Sequence, residues 1–578
     1  MKKYIISAFA GLALMTSCVD LDLNPLSEGS SENWYSTEQE VTLALNALYS
    51  PALWTVECNR FFNTDRWTDD WSQRTNLYDW AGGTISSDWS QGKQEWNSNY
   101  KGIARANTIL YSLDNLAGQI SEDKINQYAA EAKFFRASFY MYLIHAFGDV
   151  PFYTEYITLE QAYEMGRTDR EVILQQIYAD YEDGAKYLPT SYTGVERVTR
   201  GAALAMKARA ALLMNDWATC ADAAKRCMSL NEYSLHEDFE EFFHSHTKTS
   251  PELIFALPAS NELGITSYYN YQKDETSTVK SFLPRNAGGT SVAQPSWQLF
   301  FAFTCTDGKN VEDSPLYDPA NPFANRDPRL AATTVAFDTE FLDYIYNPRV
   351  SAEKTTQVST QTEVLNQDTK GTTKGKDCSY NGLVLRKHVD EEWADDLYTD
   401  TPQRIIRYAD VLLMYAESKM EMGKIDSDLF DAVNAVRARA YKCGVSETTK
   451  YPAITETDQA ELRRIIRNER RCELAWENRR WFDLIRWRAC EPALDTPVYG
   501  LAANATRKEN EKTPYWFFPE NFRPTMRPDS TIDITDLDNY PGYALITVSK
   551  NFVSRQYLYP IPSTDRVVCY NLTQNPGY

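Results

Sequence analysis

The spacing of apolar residues constrains this chain most. Over long stretches they return every three or four positions, the period of a helix with one buried face. Ile173, Ile177, Tyr181 and Leu188 form one such series. The spacing predicts helices near Glu38–Tyr49, Glu95–Leu116, Lys124–Phe147, Asp169–Leu188, Thr199–Met214 and Trp217–Leu230. Breakers such as Gly148-Asp149-Val150-Pro151 and Leu188-Pro189 divide them. The helical period returns at Arg407–Gly423 and Asp426–Tyr441. In residues 231–400, Gly, Pro, Asn, Asp and Thr instead cluster around short apolar runs such as Glu252–Leu257. Ser351–Lys376 is polar enough to be a mobile loop, and residues 497–556 are also loop-rich. Long irregular stretches in a folded chain are usually functional.

The pair at 199–230 fits a tetratricopeptide-like helix pair. Ala208 permits close helix approach, Trp217 opens the second helix, and Cys220, Ala224 and Cys227 line its inner side. Residues 407–441 repeat the theme, with Leu412, Leu413 and Ala416 facing Leu429, Ala432, Val433 and Val436. One such pair cannot bury its apolar side alone, so several must stack. The expected fold is mainly α: a tetratricopeptide-like scaffold carrying a loop-rich, aromatic-bearing ligand face. A single domain at 38–578 is expected, with scaffold at 38–230 and 401–490 and inserted regions at 231–400 and 491–578.

The N-terminus adds a targeting signal. Lys2 and Lys3 precede a short apolar run, Tyr4 to Met15, and Thr16-Ser17 leads to Cys18. A basic start, an apolar run of roughly 7–15 residues and small residues before a cleavage point define a secretory signal. The run is shorter than the roughly 20 apolar residues that span a bilayer. Leu14-Met15-Thr16-Ser17-Cys18 resembles a bacterial lipoprotein signal, which implies that residues 1–17 are removed and Cys18 is acylated. Residues 18–37 then form a flexible leader. Firm attachment needs more than one acyl chain.

Formal charge is −21, and removal of Lys2 and Lys3 takes it to −23. Such a surface repels phosphate backbones, and no Lys/Arg-rich run appears, so nucleic-acid binding is not expected. The nine cysteines beyond Cys18 have no CxxC pair and no metal-ligand spacing. Cys220 and Cys227, seven apart on a predicted helix, lie roughly 10 Å apart and out of disulfide reach. His236, His244 and His246 sit in an acidic segment without the HExxH spacing, and GxSxG, P-loop and GxGxxG motifs are lacking. No cofactor, metal or catalytic residue is expected.

The aromatics are more telling. Trp67, Trp71, Tyr78, Trp80 and Trp89 are interleaved with Asp65, Asp69, Asp70, Arg74, Asn76 and Asp79. Tyr268, Tyr269 and Tyr271 sit among Ser, Asn and Gln. Rings flanked by hydrogen-bonding side chains suit sugars: a pyranose packs its C–H face on the ring while its hydroxyls take the polar neighbours. The same rings could instead pin long loops to the scaffold, since Trp is usually well buried. Trp67, Trp71, Trp80 and Trp89 lead as candidate ligand residues, with Tyr268, Tyr269 and Tyr271 second. Asp69, Arg74 and Asn76 are candidate hydroxyl partners. Trp96 and Trp297 open predicted helices and read as core.

A longer pattern runs through the chain. Asn468-Glu-Arg-Arg-Cys-Glu-Leu-Ala-Trp-Glu-Asn-Arg-Arg-Trp-Phe-Asp-Leu-Ile-Arg-Trp487 resembles the signature of the SusD/RagB family of Bacteroidetes outer-membrane lipoproteins. Glu131-Ala-Lys-Phe-Phe-Arg-Ala137, Phe147-Gly-Asp-Val-Pro151, Asn325-Arg-Asp-Pro-Arg-Leu330, Arg407-Tyr-Ala-Asp-Val-Leu-Leu413 and Tyr559-Pro-Ile-Pro562 agree in the same order. In this C-terminal helix Arg470, Glu473 and Glu477, and likewise Arg479, Asp483 and Arg486, recur at three and four. That spacing allows ion pairs that pin the helix to the scaffold. The resemblance implies a non-catalytic glycan binder held by lipid on the outer membrane, facing outward and capping a SusC-like TonB-dependent transporter. It leaves three alternatives: peptide capture, as in the RagB branch; a purely structural lid; and, least favoured, a glycoside hydrolase.

Overall fold

Helices form where the apolar period meets a good cap. A computed structural model of the chain describes residues 35–58, 63–73, 80–193, 196–260, 279–370, 378–391, 401–547 and 550–578. α1 (Glu38–Asn46) opens on a capping box, in which Thr37 and Glu40 each accept the other's backbone N–H. α2 (Ser90–Ser112) begins earlier than Glu95, because its first turn has no apolar side to signal it. Gly92 lets that turn pass beneath the Trp89 ring, which a Cβ would meet at 2.9 Å. α3 (Glu122–Phe147) is capped by Ser121 and stopped by Gly148 at φ +74°. α4 (Arg170–Tyr187), α5 (Arg200–Leu213) and α6 (Trp217–Met228) follow, capped by Asp169, Thr199 and Asp216.

These helices stack in chain order: α2 on α3, α3 on α4, α4 on α5 and α5 on α6. The row does not end at α6. It continues directly onto α7 (Tyr408–Glu421), which then packs on α8 (Ser427–Ala440) and α9 (Gln459–Glu473). The scaffold is therefore one stack interrupted in sequence by the long insertion. Small residues set its close spacing. Ala202, Ala203, Ala205, Ala208, Ala210 and Ala211 of α5 are all buried, and a Cβ on Gly184 of α4 would lie 2.7 Å from that of Ala203. Cys220 and Cys227 are buried free thiols facing the carbonyls of Met414 and Gly201. They act there as small hydrophobes.

The insertion is closed at its base by an antiparallel pair, β2 (Leu253–Leu257) with β4 (Gln403–Arg407). A second pair joins β1 (Trp71–Gln73) to β3 (Ala293–Pro295), with Ser72 opposite Gln294. β5 (Val498–Leu501) pairs with β6 (Tyr543–Thr547). The inserted regions build a second apolar core, which Trp71, Cys472, Ala475 and Trp476 of the scaffold regions join. There Trp297, Phe300 and Phe301 of the helix Trp297–Ala302 meet Phe517, Phe518 and Phe522. The expected mobile loop at 351–376 needs correction. Lys354–Gln357 and Thr362–Leu365 form an antiparallel hairpin, with Thr355 opposite Val364 and Lys354 paired with Glu363 at 3.0 Å. β-Branched Thr and Val satisfy a strand where overall polarity had suggested a loop. Residues 371–376 lie outside the described residues.

The C-terminal signature is two helices rather than one. α9 stops at Glu473, Trp476 and Asn478 take φ values of +60° and +59°, and α10 (Arg480–Arg486) starts afterwards. Left-handed backbone at a bulky residue such as Trp is uncommon and marks an enforced turn. The expected ladder along one helix is correspondingly rearranged. Only Asp483–Arg486 is a local pair, at 2.8 Å, and the other pairs run between elements. Arg470 reaches Asp410 of α7 at 2.5 Å and Asp483 at 2.9 Å. Arg486 grips Glu417 of α7 at 2.6 Å through both terminal nitrogens. Glu473 receives Arg329 at 3.0 Å and Arg407 at 2.6 Å, with Arg439 also bound. Glu477 receives Arg407 and Lys387 at 2.7 and 2.6 Å. These groups pin the two helices to the scaffold, and each buried charge is met by an opposite one.

Candidate ligand face

The segment from Asn63 to Gln73 carries three of the expected site residues, and the C-terminal helices hold it in place. Asp65 accepts the Asn478 N–H at 2.7 Å. Asp69 receives Arg480 through Nε and Nη2, both at 2.9 Å, and Arg471 at 2.9 Å. Asp70 receives Arg471 at 2.7 Å, and Lys550 donates to the carbonyl of Trp71 at 2.7 Å. Burial alone would raise the Asp69 carboxyl. Arg471 and Arg480 more than offset that and hold it below the usual carboxylate range. Asp65, also buried, is pushed by desolvation up to about 8, and among the described residues its Oδ1 finds no hydrogen-bond partner.

These contacts correct the sequence expectation. Trp67, Trp71 and Trp80 are 1%, 2% and 0% exposed and so present no face to a ligand. Trp71 stacks on Trp476 with ring centroids 4.6 Å apart. Trp67 and Trp80 pack on each other and on Trp481 of α10 at 5.7–6.0 Å. Trp89 is half-buried, edge-on to Tyr559 at 4.9 Å. Asp69 is likewise buried, and its oxygens are taken by arginines rather than left for sugar hydroxyls. Asp69 and Asp70 serve as ion-pair partners for distant arginines, which sequence neighbours cannot disclose. Trp96 and Trp297 are core. Arg74, Asn76, Tyr268, Tyr269, Tyr271 and Cys18 lie outside the described residues.

Described residues bordering several of those segments do converge. Gln73 pairs with Ala293 through β1–β3, Phe282 lies edge-on to Trp71 at 6.2 Å, and Ser72 Oγ meets the Tyr380 hydroxyl at 2.5 Å. Lys370 stands 5.3 Å above the Tyr380 ring. The chain therefore brings Trp71, Ser72, Phe282, Lys370 and Tyr380 near one another. Of the histidines, only His244 and His246 are ring neighbours among the described residues, with centroids 5.6 Å apart. His145 is buried against Trp481 and Phe482, and desolvation, aided by Arg170 and Arg486, lowers it to about 3. His236 meets Ser250 at 3.0 Å and His246 meets Glu241 at 3.1 Å.

A groove on the scaffold side was not anticipated. A depression of about 990 Å³ opens between the segment 233–241, α7 and the end of α8, with Tyr233 and Tyr408 in its lining. These tyrosines are distant in sequence and meet only because α6 packs on α7, so apolar spacing carries no signal for them.

Two family models match the chain: one described as the SusD family, over residues 251–578, and one described as starch-binding associating with outer membrane, over residues 21–212. SusD-like protein P25 of Formosa agariphila is 25% identical over 421 residues, 68% of this chain and 69% of its own length. SusD-like protein P2 of the same organism is 23% identical over 510 residues, 84% of this chain and 91% of its own. Among solved structures, a SusD-like carbohydrate binding protein from Bacteroides fragilis superposes with a TM-score of 0.73 at 24% identity, covering 93% of this chain and 99% of that one. A laminarin binding SusD-like protein gives 0.59 at 19% identity, covering 94% and 100%.

Proposed function

The chain belongs to the SusD family, and from that premise we propose that it is a non-catalytic, lipid-held binder of oligosaccharide or polysaccharide at the cell surface. The observation that carries this reading is the pair of family matches, which together reach from residue 21 to residue 578, one of them described as starch-binding at the outer membrane. The stack of helices with large inserted regions supports it, since such a scaffold offers a broad face for a ligand. Residues 1–17 serve as the export signal, Cys18 carries the lipid, and residues 18–37 act as the leash to a domain at 38–578. Captured glycan passes to a SusC-like TonB-dependent transporter beneath. Tyr268, Tyr269, Tyr271, Arg74 and Asn76 remain the proposed contacts, together with the half-buried Trp89.

Affinity electrophoresis of the purified chain through gels of soluble starch, laminarin, mannan and xylan tests the binding. Retardation in at least one gel, without release of reducing ends, is the expected result. Tight peptide binding with no glycan retardation would move the assignment to peptide capture, and released reducing ends would make the protein a hydrolase. The transporter partnership is tested by detergent extraction of outer membranes: a TonB-dependent barrel should co-purify with the chain.

A further inference from the structure

The scaffold groove is longer than its central depression. On one side the lining passes over Tyr233 into a second hollow of about 240 Å³. On the other it passes over Asp238 and Lys442, paired at 2.6 Å, into a third of about 350 Å³. Tyr233 thus walls both the first and second hollows, and the Asp238–Lys442 pair walls both the first and third, so the three lie side by side. In the middle the half-buried Tyr233 and Tyr408 rings stand 6.4 Å apart with planes inclined by 33°. Thr199 and the Tyr233 hydroxyl, 3.0 Å apart, hold one ring in place. Leu412 and Ala435 complete an apolar floor.

The rim is polar and predominantly acidic. Glu237, Asp238, Glu241 and Glu447 line the cavity; Asp238 is paired with Lys442, Glu241 with His246 at 3.1 Å and Glu447 with Lys450 at 2.5 Å, and the deeper Arg439 is bound to Glu252 and Glu473. Carboxylates accept sugar hydroxyls well, whereas a polyanion meets repulsion here and from the net charge of −21. We propose that this groove, walled by α7, α8 and the first inserted segment, is a saccharide site beyond the residues proposed above, which takes a linear neutral glycan across Tyr233 and Tyr408 and rejects sulfated or uronate-rich chains. This rests on the glycan-binding reading above.

The full chain and its Tyr233→Ala/Tyr408→Ala variant are compared in gels of starch, laminarin, mannan and xylan, with dextran sulfate as the polyanion. Loss of two ring contacts should weaken retention by the bound neutral glycan about tenfold, at unchanged melting temperature. Dextran sulfate should not retard the wild type. If the double variant melts lower, Ala435→Leu, which raises the floor from a helical position, must itself weaken retention. Equal retention of wild type and variants, or wild-type retention by dextran sulfate, overturns the second site while leaving glycan binding intact. A wild type retarded by none of the neutral gels overturns the glycan-binding reading, and this site with it.

Discussion

Trp71 lies on Trp476 with ring centroids 4.6 Å apart and planes 18° from parallel, although 404 residues separate them in the chain. The pair joins β1 to the left-handed turn between α9 and α10 and seals the second core. Trp71→Ala should therefore cost about 3–5 kcal/mol by leaving a cavity. Urea unfolding of wild type and variant measures it. A variant of unchanged stability that merely lost glycan retention would restore Trp71 to the ligand face.

Arg407 is the hub of the buried charges, bound to Glu252, Glu473 and Glu477 at 2.6–2.7 Å. Arg407→Met removes the cation shared by three buried carboxylates. Breaking a buried pair from one side costs about 3–5 kcal/mol, because the partner charge is left uncompensated. Chemical denaturation should show this loss, whereas Lys354→Met, in an exposed pair with Glu363, should change stability by less than about 1 kcal/mol. Equal effects would refute the structural role of the network.

The scaffold was legible in the sequence because helix spacing is local. Ile173, Ile177 and Tyr181 repeat at the helix period, and all three are buried on α4. The ligand face was not, because its determinants are long-range. Asp69 between two tryptophans looks like a polar neighbour until Arg471 and Arg480 arrive from some 400 residues away. The turn at Trp476–Asn478 was hidden because Arg470, Glu473 and Glu477 keep a helical spacing into it and Arg479, Asp483 and Arg486 resume that spacing after it. Tyr233 and Tyr408 were invisible for the same reason, since only the α6–α7 contact brings them together.

Cys18→Ala should release the protein from the membrane. Among the described residues no helix is long and apolar enough to cross a bilayer. If lipid on Cys18 is the anchor, the variant should appear in the soluble fraction after cell breakage. Wild-type protein should stay with outer membranes and partition into detergent. A variant that still sediments with membranes would mean that another contact holds it there.

Stability should peak in mildly acidic solution. Glu95 is buried on α2 with a hydrogen bond from Gln91 and, among the described residues, no paired cation, and desolvation pushes its carboxyl up to about 8. Its unfolded value is near 4.5. Between these values the native state holds a proton that the unfolded chain has lost, so stability falls as pH rises through that window, by up to about 1.4 kcal/mol per pH unit. Asp65, also at about 8, adds in the same direction. Glu477 works oppositely: burial would raise it, but Arg407 and Lys387 hold it at about 2. Its contribution is present above pH 4.5 and fades as pH falls toward 2. Urea unfolding from pH 3 to 9 should give a maximum near about pH 5. Glu95→Gln should flatten the alkaline limb without moving the acid one. A variant with the wild-type slope between pH 5 and 8 would show that Glu95 does not carry that proton.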